Sequence, residues 1–472
     1  MNEHDFSRRA FLKGAGMAAL STPFAGSPFI NAVSTSSKRR KSCIIIGAGM
    51  AGLAGAYRLQ RNGWDVQIIE ARARIGGRVW THHFSNSNLH CELGGEWIGE
   101  NHERMIAFCR HFNLPLERHR FKQALLKDGK VSSPGAWNYS DEAKNAWWKF
   151  AAAWPKYSDR DKQNLDRYDW WTWLKRIGYS DEDLRLRDLM DSANFGESIR
   201  HVSACAAAAE YLESNATNES ETTNESETTN EMDWKIASGN DHLPRAMARK
   251  IGLQNFQLST PVSAITQKKG EVFVRAGNQT LAADACICTV PARVLNNIRF
   301  DPELPSTQIK AAWELQYARI VKSAGTFDER FWDAEDFSLI SKATSNYYFH
   351  ATQGQSAAKG VLTSSAVGEK ADVFASQNNA KRQKNIAGDL ADFDPRAPQL
   401  ASGIISHAWQ RDPWAQGAFA LYRPGQWLSL RPILQKPHGK ILFAGEHLAD
   451  WHGSMEGAVV TGEAAADALL DK

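Results

Sequence analysis

The sequence predicts an α/β protein with a Rossmann-like dinucleotide-binding domain and a second lobe of mixed helices and strands. Three observations carry this. The apolar run Cys43-Ile44-Ile45-Ile46 leads directly into Gly47-Ala48-Gly49-Met50-Ala51-Gly52 and then a helical stretch. A second strand, Val66-Gln67-Ile68-Ile69, ends on Glu70. Near the other terminus, the strand-like Ile441-Leu442-Phe443 precedes a turn and a small-residue helix reaching about Leu470. With 472 residues, 43% of them hydrophobic, the chain has material for two or three cored domains at roughly 100–200 residues each. Disordered, collagen-like and small disulfide-scaffold classes are excluded.

The first residues read as an address. Ser7-Arg8-Arg9-Ala10-Phe11-Leu12-Lys13 resembles a twin-arginine export signal, followed by an uncharged stretch from Gly14 to Ala32. Pro23, Pro28 and three glycines weaken that stretch below the ~20 strongly apolar residues a membrane span requires. Residues 1–36 are therefore assigned to a twin-arginine signal peptide and left outside the fold. The expected partner is the twin-arginine translocase, which carries proteins already folded around a cofactor. The expected location is periplasmic or secreted.

The glycine unit has a physical task at each position. A β-branched apolar run bounded by glycine suits a parallel strand buried on both faces. Gly47 permits the tight turn, Gly49 lets the backbone approach a pyrophosphate, and Gly52 lets helix pack on strand. The helix, Leu53 to Asn62 with Gly63 as its stop, presents unpaired N–H groups and a positive dipole end to phosphates. Glu70 falls ~20 residues further on, where an acid accepts hydrogen bonds from ribose hydroxyls. This unit alone leaves NAD and FAD both open.

Between the termini the signals are compositional. Tryptophans 137, 147, 148, 154, 170, 171 and 173 cluster in a helical region and are expected to pack between helices, with some at a substrate entrance. The tandem acidic segment of residues 217–231 has no apolar residue to bury and is expected as a surface loop. Six cysteines without CxxC pairs or a Cys/His cluster indicate buried thiols and no metal site. A net charge of +3 without a basic face argues against nucleic acid.

Three motifs separated along the chain resemble the flavin (FAD-dependent) amine oxidase family. They are Glu70-Ala71-Arg72-Ala73-Arg74-Ile75-Gly76-Gly77-Arg78, Glu92-Leu93-Gly94-Gly95-Glu96-Trp97, and Ala444-Gly445-Glu446 with Trp451-His452-Gly453-Ser454-Met455-Glu456-Gly457-Ala458. Twin-arginine-exported bacterial members, including nicotine-oxidising enzymes, look nearer than the monoamine oxidases. The resemblance implies FAD and a two-domain fold with a discontinuous substrate domain. Its pieces are 42–100, 236–300 and 401–472 for FAD binding, and 101–235 (helical, with the acidic repeat loop 213–231) and 301–400 for the substrate domain. It extends cofactor contacts to Gly47, Gly49, Gly52, Glu70, Arg72, Gly77, Arg78, Gly94, Gly95, Val262, Glu446 and Met455. The N–H of Met455 and its helix dipole would face the flavin's pyrimidine edge.

Lys322, in Ala318-Arg319-Ile320-Val321-Lys322-Ser323-Ala324-Gly325-Thr326-Phe327, matches the family lysine that holds a water on the reactive flavin nitrogen. Trp409, Phe419, Trp451 and Trp97 are the expected pocket walls. Ser454 stands where monoamine oxidases carry a cage tyrosine. Ala418 stands where some members bond FAD through cysteine, which implies non-covalent FAD. The expected reaction is hydride transfer from the carbon next to nitrogen to flavin, with the imine then hydrolysed. Reoxidation falls to oxygen or a periplasmic electron carrier. An L-amino-acid oxidase, a carotenoid-type desaturase and a non-catalytic flavin scaffold remain alternatives, and a homodimer remains open. Amino-acid oxidases of the venom type place a carboxylate-binding arginine where this chain has Trp97, so a carboxylate-free amine is expected. Arg319 and Arg423 are the arginines that could stand in for it.

Overall fold

A computed structural model describes residues 39–85, 87–213, 233–356 and 359–471. The predicted signal peptide and the acidic repeat of 217–231 lie outside these. The expected nucleotide unit forms as a five-stranded parallel sheet. Its spatial order is Ile441–Phe443, Ala285–Cys288, Ser42–Ile46, Asp65–Ile69, Phe256–Gln257. Ile44, Ile45 and Ile46 are each almost fully buried, as a strand covered on both faces must be. All six cysteines are free and buried, Cys286 and Cys288 on the strand beside it.

The first helix spans Met50–Arg61, three residues earlier than the sequence pattern places it. The helix starts inside the glycine motif because Gly49 takes the N-cap position in extended backbone. It crosses the C-terminal helix, Met455–Leu470, at two glycines. A Cβ on Gly462 would lie 2.1 Å from the Ala51 carbonyl oxygen, and one on Gly55 would lie 2.9 Å from that of Gly462. Only glycine lets the two backbones come so close.

Besides three two-stranded sheets, two larger ones accompany the parallel sheet. A four-stranded sheet runs Gln279–Ala283, Glu271–Ala276, Val262–Lys268, Arg299–Asp301. A seven-stranded sheet runs Ala401–Ala408, Ile320–Phe327, Gly360–Val367, Tyr347–His350, Phe337–Ser341, Lys122–Lys127, Lys130–Ser132. This sheet draws strands from two of the expected domain pieces across their boundaries. Ala401–Ala408 pairs antiparallel with Ile320–Phe327, so the last FAD-binding piece begins after this strand and not at 401. The 101–235 piece, expected to be helical, opens with the helix Glu103–His111 and then contributes two strands, Lys122–Lys127 and Lys130–Ser132, before its remaining helices.

Those helices are Asp141–Ala153, Asp159–Asp166, Trp170–Ile177, Asp181–Phe195 and Ala204–Glu213. Ser140, Ser158, Asp169 and Ser180 cap the first four by accepting a backbone N–H. Trp154, Trp170 and Trp171 are buried among them, as expected of packing residues. Among the described residues, no helix is long and apolar enough to cross a membrane.

Candidate active site

A cavity of about 1290 Å³ runs from the first glycine turn to the seven-stranded sheet and on into the helical lobe. It exceeds the roughly 300–1,000 Å³ of ordinary ligand pockets, leaving room for a cofactor and a substrate together. Gly49, Met50 and Ala51 line one end, and Arg78, Gly94, Gly95 and Met455 line the middle. Lys322, Trp97, Trp409, Phe419, Trp451 and Ser454 line the region beyond.

The nucleotide end fits the group the glycines predict. Gly49 and Gly77 approach until a Cβ on Gly77 would lie 3.1 Å from the Gly49 Cα. Gly47 has φ +104°, and a Cβ on Gly52 would lie 2.0 Å from the Gly47 carbonyl oxygen. Gly49 offers no side chain to cap the helix, so the first N–H groups are left for an anion. The buried Glu70 carboxylate accepts the N–H of Ala48 and of Arg72, each at 2.8 Å. Glu70, Arg72 and Val262 are not part of the cavity wall. Val262 is half-buried just beyond Thr260, whose N–H donates to the Glu70 carbonyl. Arg72 is turned to Asp412 at 2.6 Å.

In the middle of the cavity, half-buried Arg78 pairs with buried Glu446 at 2.6 Å and donates to the Ala418 carbonyl at 3.0 Å. Glu446 also accepts the N–H of Gly453 at 2.9 Å. Burial opposes the charge on Glu446, but the Arg78 guanidinium outweighs it and holds the carboxyl below its ordinary range. Ser454 lines the cavity, yet its hydroxyl caps the last helix by accepting the Gly457 N–H at 2.9 Å. Ala418 presents only a methyl group at the cavity wall.

Lys322 sits on a central strand, opposite Ser365 on one side and His407 on the other. It is 6% exposed, unlike the solvent-facing lysines of edge strands. Its ammonium donates to the Gly94 carbonyl at 3.1 Å, pairs with Glu96, and lies 5.6 Å from the Trp97 ring centroid. Glu96 is 3% exposed and accepts a second hydrogen bond from His119 Nε2 at 2.8 Å. Burial works against the Glu96 charge, but Lys322 and His119 hold its carboxyl down at about 2. Trp409 anchors the wall by donating its indole N–H to the Leu93 carbonyl at 2.9 Å.

Several site residues are absent from the sequence reading. The Glu96–His119 contact joins two loop residues that share no motif. His102, 2% exposed, lines the cavity edge-on to Trp451, with centroids 4.4 Å apart. In the helical lobe, buried Arg187 pairs with Asp191 at 2.7 Å and faces Tyr211 and Trp147 at 4.8 and 5.1 Å. The i, i+4 spacing of that pair was the one readable signal. Trp137, Trp147 and Trp148 line this end of the cavity.

A glycine-built nucleotide cradle opening into a buried lysine-bearing pocket defines a flavoprotein oxidoreductase. A flavin bound there would supply the hydride acceptor, and the glycine turn, Arg78 and Lys322 are the residues that would meet it. Over residues 50–470 the sequence matches the family described as flavin containing amine oxidoreductase, and the chain belongs to that family. It is 27% identical over 453 residues to an L-amino-acid oxidase of Siganus canaliculatus, covering 88% of this chain and 82% of that protein. It is 24% identical over 490 residues to a pseudooxynicotine dehydrogenase of Pseudomonas sp, covering 97% and 94%. Among solved structures, cyclohexylamine oxidase from Brevibacterium oxydans IH-35A superposes with a TM-score of 0.80 at 23% identity, covering 92% of this chain and 99% of that one. Putrescine oxidase bound to putrescine superposes at 0.79 with 21% identity. The two-domain fold is thus the family's, and the reaction class is flavin-dependent amine oxidation.

Proposed function

We propose that the substrate is a primary, secondary or cyclic amine with an apolar or aromatic body and no carboxylate, and that FAD is held without a covalent bond. One observation carries the substrate class. Among the described residues, the Lys and Arg that line the deep part of the cavity each face a carboxylate: Arg78 with Glu446, Lys322 with Glu96, and Arg187 with Asp191, while the more exposed Lys144 meets Asp141 at 3.5 Å. A substrate carboxylate would arrive without a counter-ion, at a cost of several kcal/mol. Arg319 pairs with Glu197 and Asp372, and neither it nor Arg423 reaches the cavity wall. Trp97, Trp409, Phe419 and Trp451 supply flat apolar walls in their stead. Non-covalent FAD rests on Ala418, and Glu70, Arg72, Arg78, Val262, Glu446 and Met455 are its proposed contacts.

Amino-acid oxidation is the second reading, favoured by the L-amino-acid oxidase of Siganus canaliculatus and the L-amino acid dehydrogenase of Synechocystis among the relatives. The pseudooxynicotine dehydrogenase matches over more of the chain and supports the first. Anaerobic mixing with paired compounds separates them. Amines should bleach the flavin while the matching L-amino acids leave it yellow; the reverse pattern would transfer the assignment to amino acids. Export by the twin-arginine route is proposed on Ser7–Lys13. Replacing Arg8 and Arg9 with lysine should leave active flavoprotein in the cytoplasm, whereas unchanged export would remove that role.

A further inference from the structure

A cluster of side chains of metal-ligating type lies outside the cavity. His83 ends the strand Thr81–His83, and Asp241 and His242 stand where the helix His242–Ile251 begins. We propose that His83, Asp241 and His242 form a binding site for a divalent cation of the zinc class. One ligand atom from each lies within 4.8 Å of the other two. His83 Nε2 and Asp241 Oδ1 are 3.7 Å apart, close to the ~3.3 Å between ligands on a tetrahedral zinc with bonds of about 2.0–2.1 Å. Two imidazoles and a carboxylate match the ligand preference of zinc and its neighbours, while magnesium and calcium prefer oxygen alone.

A second observation points to a missing ligand. Asp241 is 4% exposed, and its Oδ1, the oxygen facing His83, accepts no hydrogen bond. Its other oxygen is held by Arg245 at 2.5 Å, and its backbone N–H donates to Thr81 Oγ1 at 3.1 Å. The carboxylate is therefore fixed from behind with one oxygen left over, an arrangement that orients a metal ligand. His90 lies opposite His83 in the hairpin register and is 7% exposed, and its Nε2 likewise has no partner. Its ring lies beside that of His83, their centroids 5.7 Å apart. Arg245 and Lys235 are the nearby cations that oppose the site and keep its affinity modest.

Such an ion would tie the hairpin to the helix. The hairpin's second strand runs on into Gly94, Gly95 and Glu96. Asn240, next to Asp241, donates to the Gly95 and Glu96 carbonyls at 3.1 and 2.6 Å. The ligands come from segments far apart in sequence, which is why the chain shows no metal motif.

The test uses untagged, flavin-loaded full chain after chelator treatment. Titration with Zn²⁺ by calorimetry, and with Co²⁺ followed by its visible absorption, should give one saturable site per chain with a raised melting temperature. Affinity should fall at least tenfold in His83→Gln, whose exposed side chain can change without loss of folding, and again in His242→Gln. Loss of Zn²⁺ binding with flavin content retained would assign the site. No saturable binding up to about 1 mM would overturn it, and so would equal affinity in wild type and in the His83→Gln/His242→Gln double variant, which would indicate adventitious surface binding.

Discussion

At Lys322 the deciding quantity is charge kept out of water. The ammonium and Glu96 are each less than a tenth exposed, so removing either strands the other. Glu96→Gln should cost about 3–5 kcal/mol of stability, and Lys322→Met a similar amount. The double variant should recover part of the sum, a coupling that a double-mutant cycle by denaturant titration would read. Strictly additive losses would show that the two groups do not act as a pair. The pH dependence has a defined sign. Folding depresses the Glu96 carboxyl to about 2 from an ordinary 4.5, so the unfolded chain binds the proton more readily. Its contribution is whole above the ordinary carboxylate range and is lost as pH falls toward 2, and Glu96→Gln should flatten that acid limb. Lys322→Met should also slow flavin reduction or reoxidation with the bound spectrum nearly intact, and wild-type rates in both half-reactions would make the lysine structural. The lysine was legible because an apolar strand with one cation is a local pattern. Its counter-ion Glu96 was visible only as a residue after a glycine pair, and His119 not at all, because packing brought them together across the lobes.

Among elements, the two helices whose first turns line the cavity were legible and their crossing was not. Strand, glycine turn and helix follow one another within some thirty residues, so each boundary is announced by its neighbours. The crossing depends on Gly55 and Gly462, which belong to helices at opposite ends of the chain. Gly462→Ala should force the backbones apart at a cost of about 1–3 kcal/mol and weaken flavin retention. Unchanged melting temperature and flavin content would mean that the helices adjust freely. Ser454→Ala should destabilise by about 1 kcal/mol through loss of the cap, with little change in KM, since the hydroxyl is already engaged by the helix. A large KM effect without destabilisation would return Ser454 to the substrate. The strand Ala401–Ala408 escaped assignment for a related reason. Its membership of a sheet is decided by its partner strand Ile320–Phe327, and nothing in its own residues names that partner.

For the molecule as a whole, the cavity's balance of charge constrains the form in which a substrate can react. Its cations are matched by carboxylates, and its buried imidazoles are neutral near pH 7. Burial holds His452 down at about 4 and His102 at about 3, and neither gains a proton in the working range. Burial pushes the Tyr347 hydroxyl up out of that range as well. Beside the Lys322 ammonium a charged substrate would add a second positive charge, whereas the neutral amine adds none and carries the lone pair that assists loss of hydride. The proton that limits reduction should therefore be the substrate's own. The rate of anaerobic flavin reduction at subsaturating amine should rise with pH and level off at the pKa of the free amine. Two amines of similar shape whose pKa values differ by two units should give midpoints displaced by about the same amount. That displacement should persist in Lys322→Met, since the titrating group is carried in with the ligand. A midpoint common to both amines would place the controlling proton on the protein, and its disappearance in Lys322→Met would place it on that lysine.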